Sequence, residues 1–217
     1  MSTRLRTLSG TPLGQGFRFP AEWEPQEGTW FSWPRPEGIS FPGRYHEIVP
    51  DLARLVREVG LRQRVHINVP NENWGRLVRA QLVECGVPRR WLGPLTELEG
   101  TPSRRGRIWF HHIRTNESWC RDHGPAFVVR ERRGRREVAI VDWGFNAWGG
   151  KYPPYGDDDA VPTRVAEEFS ARKQKGFESA PRPRRPAAGQ PGGFRRRLLT
   201  VSRILQHRPA STWPAPS

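Results

Sequence analysis

The sequence predicts an α/β fold. Strand-like and helix-like patterns alternate along residues 18–169. Apolar residues recur at period two in the expected strands and at helical spacing between them. The 217 residues include 10 Trp and 10 Phe, enough aromatic mass for a packed core. At about 100–200 residues per domain, this length allows one domain or two.

The elements follow in order. Residues 1–17 read as a polar N-terminal arm with Gly10, Gly14 and Gly16. T-W-F-S-W, between Gly28 and Pro34, reads as a short buried strand. Over 44–59, Ile48, Leu52, Leu55, Val56 and Val59 recur at helix spacing, with Gly60 as a cap and Pro50 as a start or kink. R-V-H-I-N-V-P alternates as a strand that ends at Pro70. Residues 72–84 form a second helix with Trp74, Leu77, Val78 and Leu82, and Gly86 lies just beyond it. Residues 107–113 predict another strand. Residues 126–130 and 137–142 flank the turn E-R-R-G-R-R as a hairpin. A Gly- and Pro-rich loop precedes a helix over 162–169, with Pro162 in its first turn.

After Phe169 the pattern stops. Residues 170–217 are rich in Arg, Pro, Ala and Gly and read as a disordered basic tail. Only R-R-R-L-L-T-V-S-R-I-L-Q could form a short amphipathic piece. The tail holds nine Arg, two Lys and one acid, Glu178. It therefore supplies +10 of the chain's net +14 and leaves residues 1–169 nearly balanced at +4. One account of it is an extension that binds nucleic acid or other anions. Another is an out-of-frame reading of a G/C-rich message, in keeping with 33 Arg against 3 Lys. The body carries no nucleic-acid recognition motif. The opening MSTRLRTLSG has no apolar core of a secretory signal, and no run approaches 18 apolar residues. A cytoplasmic protein with reduced Cys85 and Cys120, away from any membrane, is expected.

Reactive side chains concentrate in E-S-W-C-R-D-H-G-P, 117–125. Asp122, fixed by a Gly-Pro turn, can accept two parallel N–H bonds from a guanidinium, and Trp119 can cover the cation's face. The same residues also read as a turn cap and a core aromatic. His111, His112, Cys120 and His123 have poor spacing for zinc, and no metal site is expected. Cys120 beside His123 reads as a nucleophile or, more simply, as a structural thiol. Cys85 reads as core. Asp157, Asp158 and Asp159 read as a cation ligand set, a solvated loop or a helix N-terminal cluster. Gly149-Gly150 lacks the phosphate-loop pattern and reads as a turn.

Three long motifs then stand in one order: P-A-E-W-E-P-Q-E-G-T-W-F-S-W-P at 20–34, S-W-C-R-D-H-G-P at 118–125, and W-G-F-N-A-W-G-G-K-Y at 143–152 followed by D-D-D-A-V-P. Together they resemble the N-terminal half of the agmatine deiminases, whose wider family includes the bacterial peptidyl-arginine deiminases. The resemblance implies a pentein fold, a five-fold β/α propeller, of which this chain covers about the first two units. It implies hydrolysis of a guanidinium to a ureido group and ammonia, turning agmatine into N-carbamoylputrescine on a route to putrescine, with no cofactor. In such a reaction a Cys thiolate attacks the guanidinium carbon and a His acts as general acid and base. The resemblance makes Asp122 one of the carboxylates that hold the guanidinium and Trp119 a wall of the pocket. The family's E-G-G segment, its His-x-Asp pair and its G-G-G-N-I-H-C nucleophile segment have no counterpart here. The resemblance therefore implies a truncated hydrolase without nucleophile or general base, inactive alone. Agmatine and peptidyl arginine both remain open as the substrate.

Overall fold

A computed structural model describes residues 7–93, 107–172 and 196–201. Its strands are β1 (Thr7–Leu8), β2 (Gly28–Ser32), β3 (Arg64–Val69), β4 (Ile108–His112), β5 (Ala126–Arg132), β6 (Arg135–Trp143) and β7 (Arg196–Val201). Its helices are α1 (Tyr45–Arg62), α2 (Glu72–Glu84), α3 (Cys120–His123), α4 (Ala147–Gly150), α5 (Gly156–Asp159) and α6 (Val161–Arg172). Single turns of 3-10 helix occur at Leu13–Gln15 and Arg89–Trp91. None of the described helices is long and apolar enough to cross a membrane.

The strands form two sheets. β2, β3 and β4 are parallel in that order, and β1, β7, β6 and β5 are antiparallel in that order. Alternation along β3 decides which side faces what. Val65, Ile67 and Val69 meet Ala53 and Val56 of α1 and Val78 and Leu82 of α2 in one buried cluster. His66 points the other way, where Trp30 stacks on it at 4.6 Å and Phe169 of α6 meets it edge-on. β6 alternates in the same manner. Ile140 packs on Val161, Val165 and Ala166 of α6, while Ala139 and Val141 pack on Phe17. Helix α6 thus lies against both sheets.

Several expected boundaries move for identifiable reasons. Helix α1 runs past Val59 to Arg62, because Gly60 is buried against the Trp91 ring rather than acting as a cap. Pro50 lies inside the helix. Asn71 starts α2 by accepting the Trp74 N–H at 3.0 Å. The β5–β6 turn is only Arg133-Gly134, both at positive φ (52° and 67°), so pairing continues outward to Arg132 and Arg135. The described part of the N-terminal arm, residues 7–17, is packed on the fold. Phe17 is buried, and Thr7–Leu8 pairs with β7.

The tail expected from residue 170 is only partly described. Residues 170–172 finish α6, and 196–201, within the piece expected to be amphipathic, pair as strand β7 between β1 and β6. Leu198, Leu199 and Val201 give that segment strand propensity. Residues 1–6, 173–195 and 202–217 lie outside the described residues, and the disordered, anion-binding and out-of-frame readings of the tail lie mostly there with them.

One contact gives a test of the parallel sheet. A Cβ on Gly28 would sit 2.7 Å from the Arg64 carbonyl oxygen and 2.9 Å from the His66 ring. Gly28→Ala should lower unfolding stability by about 1–3 kcal/mol through this overpacking. Gly156→Ala, which meets no atom within 4 Å, should change it by less than about 1 kcal/mol. Equal denaturation midpoints for the two variants would contradict the close approach.

Candidate functional site

Three loops that follow strand ends converge on one cleft. The first follows β2 and brings Ile39 and Ser40. The second joins β4 to β5 and brings Glu117, Trp119, Asp122 and His123. The third follows β6 and brings Phe145, Trp148, Lys151, Tyr152 and Asp158. The cleft has a volume of about 820 Å³. It lies beyond the carboxyl ends of β2 and β4, where open α/β sheets take their ligands.

Two loops some forty residues apart are clasped reciprocally beneath it. Asp158 Oδ1 accepts the backbone N–H groups of Asn116 at 2.7 Å and Glu117 at 3.2 Å. Asn116 Oδ1 in return accepts those of Asp157 at 2.8 Å and Asp158 at 3.3 Å. Glu117 then reaches the first loop, accepting from the Ile39 and Ser40 N–H groups, each at 2.9 Å, and from the Ser40 hydroxyl. Phe41 of that loop packs 5.9 Å from the Trp119 ring.

The single turn of α3 presents Asp122. Its N–H donates to the Trp119 carbonyl at 2.9 Å, and Gly124 lets the chain fold back under Cys120. A Cβ at Gly124 would collide with the Cys120 carbonyl oxygen, so only glycine fits. Asp122 is exposed to the cleft, and its carboxylate has no hydrogen bond or ion pair with any described residue. Trp119 stands beside it, 46% exposed.

The opposite wall rests on α4, whose hand is reversed. Ala147, Trp148, Gly149 and Gly150 all have positive φ, at 49°, 56°, 82° and 78°. Gly150 N–H donates to the Asn146 carbonyl at 2.6 Å and Lys151 N–H to that of Ala147 at 3.0 Å, closing one left-handed turn. Asn146 Oδ1 accepts the Gly149 N–H at 2.9 Å. The two glycines adopt this hand freely, whereas Ala147 and Trp148 each carry about 1–2 kcal/mol of strain. Such strain collects at ligand-binding positions. It turns Trp148 outward, 54% exposed, between Phe145 and Tyr152, each 5.7 Å away and edge-on.

The floor is dry. His123 and Asp158 are each only 2% exposed, with Nε2 of the imidazole 3.8 Å from Oδ1 of the carboxylate. Burial pushes the His123 pKa down to about 4 and the Asp158 pKa up to about 6. Neither ring nitrogen of His123 has a hydrogen-bond partner, and Asp158 Oδ2 accepts no bond from a described residue.

The structure separates the sequence candidates. Asp122 and Trp119 line the cleft together. His123 lies in its floor. His111 is buried at the face of the parallel sheet, bonded through Nε2 to His66 at 2.8 Å and through Nδ1 to Glu168 at 2.6 Å. His112, its neighbour in β4, alternates to the opposite face of the sheet, and its Nε2 is buried without a partner. Burial raises the Cys120 thiol to about 11, with the Ser32 hydroxyl beside it, so it stays protonated at neutral pH. Cys85 ends α2 and packs on the core. Among the described residues no three His, Cys, Asp or Glu side chains gather to hold a metal.

The Asp run is not a solvated loop. Asp157 pairs with Arg114 and Arg164, Asp158 closes the clasp, and Asp159 accepts the Phe145 N–H at 2.8 Å. Sequence reasoning did not single out Glu117, Trp148 or Tyr152 as lining residues, although Glu117 opens the reactive segment 117–125 and the other two fall within the third quoted motif; Asp158 was named only as one of a run of three acids.

The floor predicts opposed pH effects. With its pKa lowered, His123 favours the folded state fully above its unfolded value near 6.5, and this is lost as pH falls toward 4. With its pKa raised, Asp158 favours folding at low pH, and this is lost as pH rises from about 4 through 6. The two nearly cancel between pH 4 and 6. In Asp158→Asn, stability should fall on acidification from pH 6.5 to 4. In His123→Asn it should rise between pH 6 and 4. Parallel stability–pH curves for the two variants would contradict this assignment. Glu117, Asp122 and Asp157 are the other charges near the pair and are common to both variants.

Comparison with known proteins gives the fold and cleft a family. The model for the Porphyromonas-type peptidyl-arginine deiminases matches residues 18–179. The agmatine deiminase of Pseudomonas aeruginosa is 30% identical over 164 residues, which cover 73% of this chain and 37% of that protein. That of Pseudomonas putida is 31% identical over 168 residues, covering 75% and 38%. A variant of C. jejuni agmatine deiminase, solved with substrate bound, shares the fold with a TM-score of 0.52 at 22% identity, covering 70% of this chain and 37% of its own. An X-ray structure provisionally assigned as an agmatine deiminase aligns with a TM-score of 0.54 at 27% identity, covering 73% and 39%. The chain spans under two-fifths of the length of these curated relatives. With the family model covering most of the body and the cleft, the chain belongs to the Porphyromonas-type peptidyl-arginine deiminase family.

Proposed function

We propose that residues 18–169 form the substrate-holding part of an agmatine deiminase-like hydrolase and that this 217-residue chain binds a guanidinium without turning it over. The observation that carries the reading is Asp122, an exposed carboxylate without a partner among the described residues, beside Trp119 in the cleft. A planar guanidinium offers parallel N–H donors to such a carboxylate and its face to an indole. In the complete reaction a thiolate adds to the guanidinium carbon, ammonia leaves, and water releases the ureido product, N-carbamoylputrescine. That step needs a thiolate with a general base beside it. Cys120 is buried with a raised pKa, and Cys85 ends a helix in the core. Neither is suited to the role, and the nucleophile and general-base motifs of the family are missing from the 217 residues.

Titration calorimetry with the full chain and agmatine should therefore show one saturable site, while ammonia release stays at background. Asp122→Asn should weaken binding by about tenfold or more, because the amide keeps the shape but loses the charge and one acceptor oxygen. Unchanged affinity in that variant would remove Asp122 from the site. Ammonia release abolished by Cys120→Ala would place the nucleophile inside this chain and overturn the binding-only reading.

A further inference from the structure

The tip of the β5–β6 hairpin carries an inference independent of the cleft. Beyond Val129 and Val138 the two strands run past their described neighbours. β7 pairs with β6 only over Val138–Trp143, and a single bridge joins Arg18 to Val129 of β5. Three cross-strand pairs then remain: Arg130 with Glu137, Glu131 with Arg136 and Arg132 with Arg135. Arg133-Gly134 closes them. At about 3.3 Å per residue, this two-stranded ribbon extends roughly 10 Å past the last flanking strand.

Positive charge is concentrated there. Residues 130–137 hold five Arg and two Glu, so eight positions supply +3 of the +4 carried by residues 1–169. The arginines are not equivalent. Arg130 is used inside the fold. It donates to Glu137 at 2.7 Å and to the Gln15 carbonyl at 2.6 Å, and it lies 4.3 Å from the centre of the Phe17 ring. Arg136 reaches Glu24, which already accepts two hydrogen bonds from Arg18. Arg132 and Arg133 are exposed and have no hydrogen bond or ion pair with any described residue. Glu131 alternates to the other face from Arg132 and stands opposite Arg136.

Two local rules are broken at this tip, and both raise its charge. The first concerns Arg133, at φ 52°. That place in a two-residue hairpin turn favours Asn, Asp or Gly, because longer side chains are strained at positive φ. The second is the register, which sets Arg132 directly opposite Arg135. Like charges so placed repel, and an acid at either position would relieve them. Neither Arg132 nor Arg133 gains a described contact that offsets this. Strain and repulsion kept without structural return point to a ligand.

Shape and composition select among anions. The major groove of B-form DNA, about 12 Å wide and 8.5 Å deep, admits a two-stranded ribbon of this reach. The major groove of an A-form duplex is too narrow. Residues 130–137 include no aromatic to stack on the bases of a single strand and only one apolar-free stretch of Arg, Glu and Gly, with nothing to enter a membrane interface. We propose that the hairpin tip is a binding site for the phosphate backbone of B-form duplex DNA, with the ribbon in the major groove and Arg132 and Arg133 on phosphates. Arg130, bonded to Gln15 and Glu137, braces the base of the ribbon against the arm.

Fluorescence anisotropy with a short labelled duplex of mixed sequence tests the site on the full chain. Residues 170–217 are also rich in Arg, so the comparison is between charge-matched variants. Arg132→Gln/Arg133→Asn should weaken duplex binding about tenfold or more and reduce the slope of log K against log salt by about 1–2. Arg184→Gln/Arg185→Gln, which removes the same charge elsewhere, should change affinity by less than about threefold. Arg133→Asn alone should weaken binding while raising the thermal midpoint, since Asn tolerates positive φ. A merely structural role would move both downward. The unmodified chain should bind the duplex more tightly than either of its single strands or a phosphatidylserine vesicle. Equal losses in the two double variants would trace binding to net charge and overturn the site. Unchanged duplex affinity in Arg132→Gln/Arg133→Asn would overturn it too, as would a fall of both affinity and midpoint in Arg133→Asn. Equal or tighter binding of the single strand or the vesicle would exclude the groove reading, and no duplex binding by the unmodified chain would end the proposal.

Discussion

The reciprocal clasp between Asn116 and Asp158 is the constraint on which the rest of the cleft depends. Each side chain accepts two backbone N–H groups of the other loop, at 2.7–3.3 Å. A typical intramolecular hydrogen bond contributes only about 1 kcal/mol net, whereas leaving a buried group unsatisfied costs more. The clasp therefore matters less for the stability it adds than for the alternatives it excludes. If the two loops part, backbone donors on both lose their acceptors together. Because the loops follow β4 and β6, the clasp also ties the end of the parallel sheet to the end of the antiparallel one. Glu117 extends the tie to the loop after β2. The walls of the cleft are thereby held by side chain–backbone bonds where regular secondary structure has ended.

This dependence explains what the sequence discloses. The parallel sheet and its helices were legible, because burial on one face prints a period on the residues. Val65, Ile67 and Val69 alternate along β3, and α2 matches its apolar spacing to the residue. Asp122 was singled out because a Gly-Pro turn beside a carboxylate has local chemical meaning and because the resemblance made it a guanidinium contact; the structure places it on the cleft. Asp158 was not. Its neighbours Asp157 and Asp159 have the same side chain and entirely different partners, an arginine pair and a backbone N–H. Nothing local distinguishes the three. The distinction is made by Asn116, some forty residues away. The left-handed turn was hidden for a related reason. Gly149-Gly150 announces a turn, but Ala147 and Trp148 give no sign that they too take positive φ.

The histidines show how burial redistributes chemistry that looks equivalent in sequence. His111 and His123 are both almost fully buried. His111 is bonded at both ring nitrogens, to His66 and Glu168, and Trp30 stacks on it at 4.5 Å. That arrangement spends its polar capacity inside the fold and leaves it packed between α6 and the sheet. His123 has an acidic neighbour but no hydrogen bond. The same residue type is a finished structural contact in one place and an open valence in the other. Cys120 belongs with the first kind, since its thiol lies where burial holds the proton on sulfur.

Charge completes the argument. Residues 1–169 are nearly balanced at +4, so a cleft lined at random from them would carry almost no net charge. The lining instead has three acids and one lysine, with the lysine turned onto an aromatic ring. The carboxylates of the cleft repel an anion and attract a cation. Discrimination by sign is then set before any specific contact forms, and it is strengthened where water is excluded. The clasp supports this polarity directly. Its Asp158 is held in the floor by backbone N–H groups that favour the charged carboxylate while burial opposes it, so one side chain both joins the loops and adds an acid to the cleft lining.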